Sequence, residues 1–168
     1  MLGTRLAVPE DAAAIARIYN EGIAERIATF ETDPRTVEQL EAQLREKGGH
    51  YPTVVVERDG AVIAWASASS YRSRPCYAGI AEHSVYVARE ARGAGAGLVA
   101  LEALFTAAEQ QGFWKLLSRI FPENTASIAL HRKAGFREVG VYRRHGKLEG
   151  SWRDCVIVER LIGDGLED

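Results

Sequence analysis

A chain of 168 residues with 46% apolar side chains suits a single folded domain spanning 1–168, with a core from about residue 4 to 162 and a short acidic tail over 163–168. A net charge of −2 gives no footing to a nucleic-acid or anionic-membrane partner, and no run approaches the ~18 apolar residues of a membrane span. No signal-peptide core opens the sequence, Cys76 and Cys155 lack metal-ligand spacing, and His50, His83, His131 and His145 form no zinc pattern, so a cytoplasmic, metal-free protein is expected.

Thr4–Val8 reads as a short strand, and Pro9-Glu10-Asp11 as the start of a helix, where proline is tolerated and acids are favoured. Ile15, Ile18 and Tyr19 share one face of that helix. Ala28 to Pro34 is a loop. Thr36 and Gln39 have capping-box spacing at the head of a second helix, whose apolar face is Val37, Leu40 and Leu44 and which Gly48-Gly49 ends. Thr53–Arg58 and Ala61–Ser69 are strands joined by an Asp59-Gly60 turn. Residues 71–79 form a loop of cations and aromatics, and Ile80–Val87 is a strand. A helix runs from about Gly95 to Gln111 and stops at Gly112. Trp114–Ile120 is a strand and Asn124–Lys133 a helix closed by Gly135. Phe136–Tyr142 and Trp152–Leu161 are the last strands, joined by a charged loop from Arg143 to Ser151. The order β-α-α-β-β-β-α-β-α-β-β is an α/β (α+β) mixture with an antiparallel first half and one βαβ crossover.

Between Ile80–Val87 and the next helix lies Arg92-Gly93-Ala94-Gly95-Ala96-Gly97. A glycine in a helix interior costs about 1 kcal/mol relative to alanine, so three in five residues call for a reason. One reason is close approach of a bulky anion to the free N–H groups and positive dipole end of a helix start, a geometry that suits a pyrophosphate. The other is a flexible connection. A Walker A loop is excluded because no Gly-Lys-Ser/Thr follows. A dinucleotide fingerprint over Gly95, Gly97 and Ala100 fits poorly, since the turn sits mid-chain after antiparallel strands.

Arg92-x-x-Gly95-x-Gly97, following a strand, resembles the Gln/Arg-x-x-Gly-x-Gly/Ala signature of the GCN5-related N-acetyltransferase (GNAT) superfamily. Asn124 to Phe136, an Asn and a helix closed by Gly-Phe, is similar to that family's second motif. Ala81–Val87, Gly150–Asp154 and Thr29–Thr32 resemble the phosphinothricin and methionine sulfoximine N-acetyltransferase branch, with Glu149 standing where phosphinothricin-type sequences carry a histidine. The resemblance spans Arg5 to Leu161. It implies a single GNAT-type domain with a mixed central sheet of about seven strands, splayed between strands 4 and 5 and flanked by helices.

It also implies acetyl-CoA as co-substrate, with no metal. The pyrophosphate would lie on the backbone of Gly93, Ala94, Gly95, Ala96, Gly97 and Leu98, with Arg92 at the rim. The pantetheine arm would pair with the exposed backbone of Val85, Tyr86 and Val87, one of whose N–H groups would hold the thioester oxygen. Asn124 and Ser127 would touch the arm or a phosphate; Asn124 also reads as a plain helix cap.

Amide formation needs a neutral amine, and Glu82 matches the branch's general base. It reads equally as a surface carboxylate. His131 occupies the helix position where many members carry a tyrosine acid; it reads as that acid or as a packed side chain. Arg72 and Arg74 suit a carboxylate or phosphinate, or a solvated basic loop, and Phe30, Glu31, Tyr77 and Lys147 are candidate pocket walls.

The expected acceptor is a small amino-acid-like molecule of the phosphinothricin, methionine sulfoximine/sulfone or arsinothricin type, and the expected assembly a homodimer. The competing readings are acetylation of a protein N-terminus or other amine, and a non-catalytic acyl-CoA sensor with no use for Glu82.

Overall fold

The computed structural model describes residues 1–167; Asp168, the last residue of the expected tail, lies outside the described residues. Seven strands form one sheet in the order β1-β2-β3-β4-β5-β7-β6: β1 Gly3–Leu6, β2 Thr53–Arg58, β3 Ala61–Ser70, β4 Ile80–Val87, β5 Lys115–Ile120, β6 Arg137–Leu148 and β7 Ser151–Leu161. Among the described residues only β4 and β5 pair in parallel, joined through the crossover helix α3. The helices are α1 Ala12–Glu25, α2 Val37–Lys47, α3 Ala96–Gln110 and α4 Thr125–Lys133.

Local chemistry accounts for the element ends. The N–H of Gln39 donates to Thr36 Oγ1, and the N–H of Thr36 to Gln39 Oε1, closing the capping box of α2. Pro9–Asp11 forms a 3-10 turn, and α1 begins at Ala12. The carboxylate of Asp11, buried behind that turn, accepts from Val8 N–H and from both ends of the Arg5 guanidinium. That pairing holds its pKa below the usual carboxylate range.

The two helix layers lie on opposite faces of the sheet. Tyr86 points at α1, where a Cβ on Gly22 would meet its ring at 2.7 Å; Val87, the next residue, points at Gly97 of α3 and Leu130 of α4. Covered on both sides, β3 is buried without a break from Val62 to Ala68. The main core of Ile15, Ile18, Val55, Leu101, Leu104 and Leu116 fills both layers.

The expected charged loop from Arg143 to Ser151 is a correction. β6 continues to Leu148 and meets β7 through the turn Glu149-Gly150, whose φ angles are +49° and +81°. Charges and a glycine make this stretch look like loop, yet they suit an exposed outer strand, where charged side chains block further pairing. Register shifts between Glu138 and Gly140 and between Tyr142 and Gly146, the latter with Arg144 at φ +48°, interrupt the ladder twice. At the other end, Gly163–Leu166 forms a 3-10 turn where fraying is expected, with Gly165 N–H donating to Ile162 O.

Candidate active site

The parallel pair comes apart early. β5 pairs only with Ile80, Ala81 and Glu82 of β4, then turns to β7. Val85, Tyr86 and Val87 pair with β3 on one side and, among the described residues, have no strand on the other. A free row of N–H and C=O groups inside a sheet is a ready partner for an extended chain.

A cleft of about 340 Å³ runs along this gap to the head of α3. Val85, Tyr86, Val87, Arg92, Gly93, Gly95, Ala96, Gly97, Leu98, Asn124 and Ser127 line it; of the expected co-substrate positions, Ala94 alone does not and faces solvent. Gly93 and Gly95 adopt φ +82° and +83°, a region that side-chain-bearing residues avoid, so the turn at this end of the cleft needs glycine. A Cβ on Gly97 would sit 2.9 Å from Leu130, so the third glycine lets α3 approach α4. Arg92 is held at the rim by Glu25, 3.0 and 2.6 Å from its two Nη atoms. Lys133 adds a second cation. Asn124 caps α4 through its Oδ1, which accepts Ser127 N–H at 3.2 Å, while also lining the cleft.

On the α1 face, Glu82 lines a cavity of about 160 Å³ with Tyr19, Phe30, Ser84, Arg119 and Phe121. Arg119 Nη2 donates to Glu82 Oε2 at 3.0 Å. Phe30 meets Phe121 edge-to-face at 4.7 Å between ring centres. A passage of about 50 Å³, lined by Ser84, Val85, Tyr86, Ser118, Arg119, Asn124 and His131, shares residues with both cavities and joins the cleft to the Glu82 side.

His131 stands in that passage, buried, and its hydrogen bonds set its tautomer. Nδ1 lies 2.7 Å from Ser127 O, which can only accept, so Nδ1 carries the proton; Nε2 then accepts from His83 Nε2 at 2.9 Å. Burial lowers the pKa of both rings. Both ring protons are thus engaged within the protein, that of His131 by Ser127 O and that of His83 by His131 Nε2.

Glu31 and the loop arginines stand apart from the Glu82 cavity. Glu31 is held by Arg35 at 2.6 Å. Arg72 stacks over Tyr71 at 5.0 Å and Arg74 over Tyr77 at 5.9 Å, on an exposed loop before β4. None of Arg72, Arg74 and Tyr77 lines the Glu82 cavity. Lys147 stacks over Trp152 at 4.6 Å.

Comparison with known proteins decides the family. The sequence profile of the acetyltransferase (GNAT) family matches residues 15–136. The chain belongs to the GNAT family of acetyltransferases. It is 34% identical to a phosphinothricin N-acetyltransferase of Streptomyces coelicolor, over 94% of this chain and 95% of that one. It is 32% identical to an L-methionine sulfoximine/L-methionine sulfone acetyltransferase of Pseudomonas aeruginosa, over 89% and 88%. The crystal structure of a GNAT phosphinothricin acetyltransferase from Sinorhizobium meliloti in complex with AcCoA superposes with a TM-score of 0.88 at 35% identity, covering 99% of this chain and 91% of that one.

Arg119, Phe121, Ser84 and Lys133 of this GNAT acetyltransferase escape sequence reasoning. Arg119 and Ser84 lie on strands among ordinary alternations, and only the sheet brings them beside Glu82. Among the described residues no helix is long and apolar enough to cross a membrane.

Proposed function

We propose that this enzyme transfers the acetyl group of acetyl-CoA to the α-amino group of a small amino-acid-like acceptor, of the phosphinothricin or methionine sulfoximine/sulfone type, with arsinothricin in the same class. The observation that carries this reading is the carboxylate of Glu82 in a pocket joined, through a narrow passage, to a cleft headed by the glycine turn.

Acetyl-CoA supplies an activated thioester. The cleft fits it in two ways: the positive-φ glycines present N–H groups to a diphosphate, and the unpaired edge of Val85–Val87 accepts an amide-bearing arm as an added strand. Glu82 takes a proton from the acceptor ammonium, directly or through one water, and the neutral nitrogen attacks the acetyl carbonyl carbon. An N–H of the free β4 edge holds the carbonyl oxygen as its charge grows. As the tetrahedral adduct collapses the C–S bond breaks, coenzyme A leaves as thiolate, and the second nitrogen proton passes to that thiolate or to solvent, so the bound state of His131 is no obstacle. Tyr19, Phe30 and Phe121 wall a pocket of about 160 Å³, a size that suits a free amino acid better than a protein N-terminus.

The reading includes a cytoplasmic homodimer. Val139, Val141 and Tyr142 on the outer strand β6, with Trp152 on β7, expose apolar surface of the kind a second copy would cover. The free thiols, Cys76 exposed and Cys155 buried, suit a reducing compartment.

Thiol release from acetyl-CoA across phosphinothricin, methionine sulfoximine, methionine sulfone, the common amino acids and a short peptide tests the reading. Turnover concentrated on the first three is expected. Absence of release with every small amine overturns it, and turnover on the peptide alone moves the acceptor to a protein N-terminus.

A further inference from the structure

Lys47, in the last turn of α2, lowers its side chain into a recess of about 120 Å³ between α1, α2 and β3, lined also by Tyr19, Arg35, Ser67, Ser69 and Ser84. Its ammonium donates to Ala68 O at 2.8 Å and to Ser67 Oγ, and Ser67 Oγ lies 2.7 Å from Thr53 Oγ1. Among the described residues no Asp or Glu pairs with it, and burial alone pulls its pKa down to about 8. The other cation of the recess, Arg35, is satisfied by Glu31. A cation sunk in protein without a counter-charge is costly, and one carbonyl and one hydroxyl would be served as well by a neutral donor.

The recess adjoins the Glu82 cavity. Ser67 stands opposite Ser84 and Ser69 opposite Glu82 in the β3–β4 register, so Lys47 lies above a strand only about 5 Å, one strand spacing, from the row that carries the carboxylate. Tyr19 and Ser84 line both spaces.

We propose that the Lys47 recess is an oxyanion subsite for the acceptor, in which the ammonium with the hydroxyls of Ser67 and Ser69 holds an acidic group while the amine faces Glu82. This rests on the acceptor class given above. The oxyanion is the acceptor's side-chain acid or its α-carboxylate, and the choice of acceptors separates the two.

The test compares wild type with Lys47→Met and Lys47→Arg on phosphinothricin, which carries both anions, and on methionine sulfone, whose side-chain head is uncharged. Lys47→Met is expected to raise KM for phosphinothricin by at least about tenfold, with kcat and the acetyl-CoA KM nearly unchanged, and Lys47→Arg to recover part of the loss. A rise confined to phosphinothricin assigns the subsite to the phosphinate; an equal rise for methionine sulfone assigns it to the α-carboxylate. Unchanged KM for both overturns the subsite while leaving the acetyltransferase reading in place. If wild type acetylates neither compound, or Lys47→Met does not fold, wild type is labelled with trinitrobenzenesulfonate with and without inorganic phosphate. Slower modification of Lys47 in phosphate supports the subsite, and an unchanged rate overturns it.

Discussion

Arg119 Nη2 and Glu82 Oε2 are 3.0 Å apart in the wall of the pocket, on neighbouring strands just where β4 and β5 begin to part. The guanidinium fixes one carboxylate oxygen and leaves the other to receive a proton. Glu82→Gln keeps the shape and removes the acceptor, so kcat at pH 7.5 is expected to fall by about 10²- to 10⁴-fold with the Kd for acetyl-CoA unchanged. Raising the pH supplies neutral amine from solution and narrows the gap. Steady-state rates between pH 7 and 9.5 with titration of acetyl-CoA read both effects; turnover near wild type at pH 7.5 removes Glu82 from the chemistry.

Gly95 heads α3 at φ +83°, and an added Cβ there meets no atom within 4 Å. Gly95→Ala therefore costs backbone strain alone, about 1 kcal/mol or a fall in Tm of about 2–4 °C. The N–H groups it re-aims belong to the glycine turn, so the Kd for acetyl-CoA is expected to rise by more than the stability change explains. Calorimetric titration beside a melting curve makes the comparison. Gly97→Val is expected to destabilise further, since its first carbon would press on Leu130 at 2.9 Å.

Gly146 of β6 faces the ring of Phe30, where a Cβ would come within 2.7 Å. Gly146→Ala is expected to displace Phe30 from its edge contact with Phe121, worth about 0.5–1.5 kcal/mol, and to raise the acceptor KM about two- to tenfold. The acetyl-CoA KM, set on the far side of the passage, is expected to stay put. Equal changes in both constants would contradict the division of the two cavities.

Burial depresses the pKa of His83 and His131, so the native state resists protons that the unfolded chain takes up below about pH 6.5. Their contribution is present above that pH and is lost as the pH falls. A histidine that stays neutral in the folded state and titrates normally when unfolded accounts for about 2 kcal/mol between pH 7 and pH 5. Urea unfolding at those two pH values checks it. His83→Phe is expected to lower stability at pH 7, by leaving His131 Nε2 without its donor, and to make the acid loss shallower.

What the sequence determined by itself is local. The capping residues Thr36 and Gln39, the Asp59-Gly60 turn, the glycines after β4 and the β-branched run of β2 dictate backbone angles within a few residues, so elements and their order can be read directly. The glycine-turn end of the cleft was legible for the same reason: Arg92, Gly93, Gly95, Ala96, Gly97 and Leu98 lie close together in one short stretch of sequence. Lys47 left a trace too, since it continues the stripe of Leu40 and Leu44 that α2 turns inward.

Tertiary structure decided the rest. Arg119 is 37 residues from Glu82, and His83 is 48 from His131; each meeting depends on strands and helices set by packing across the sheet. The tautomer of His131, the stacking of Arg72 and Arg74 onto neighbouring tyrosines, and the extension of β6 through charged residues follow from partners that a linear pattern does not specify. A side chain's chemistry belongs to its residue type, but its proton, its partner and its cavity belong to the surface folded against it.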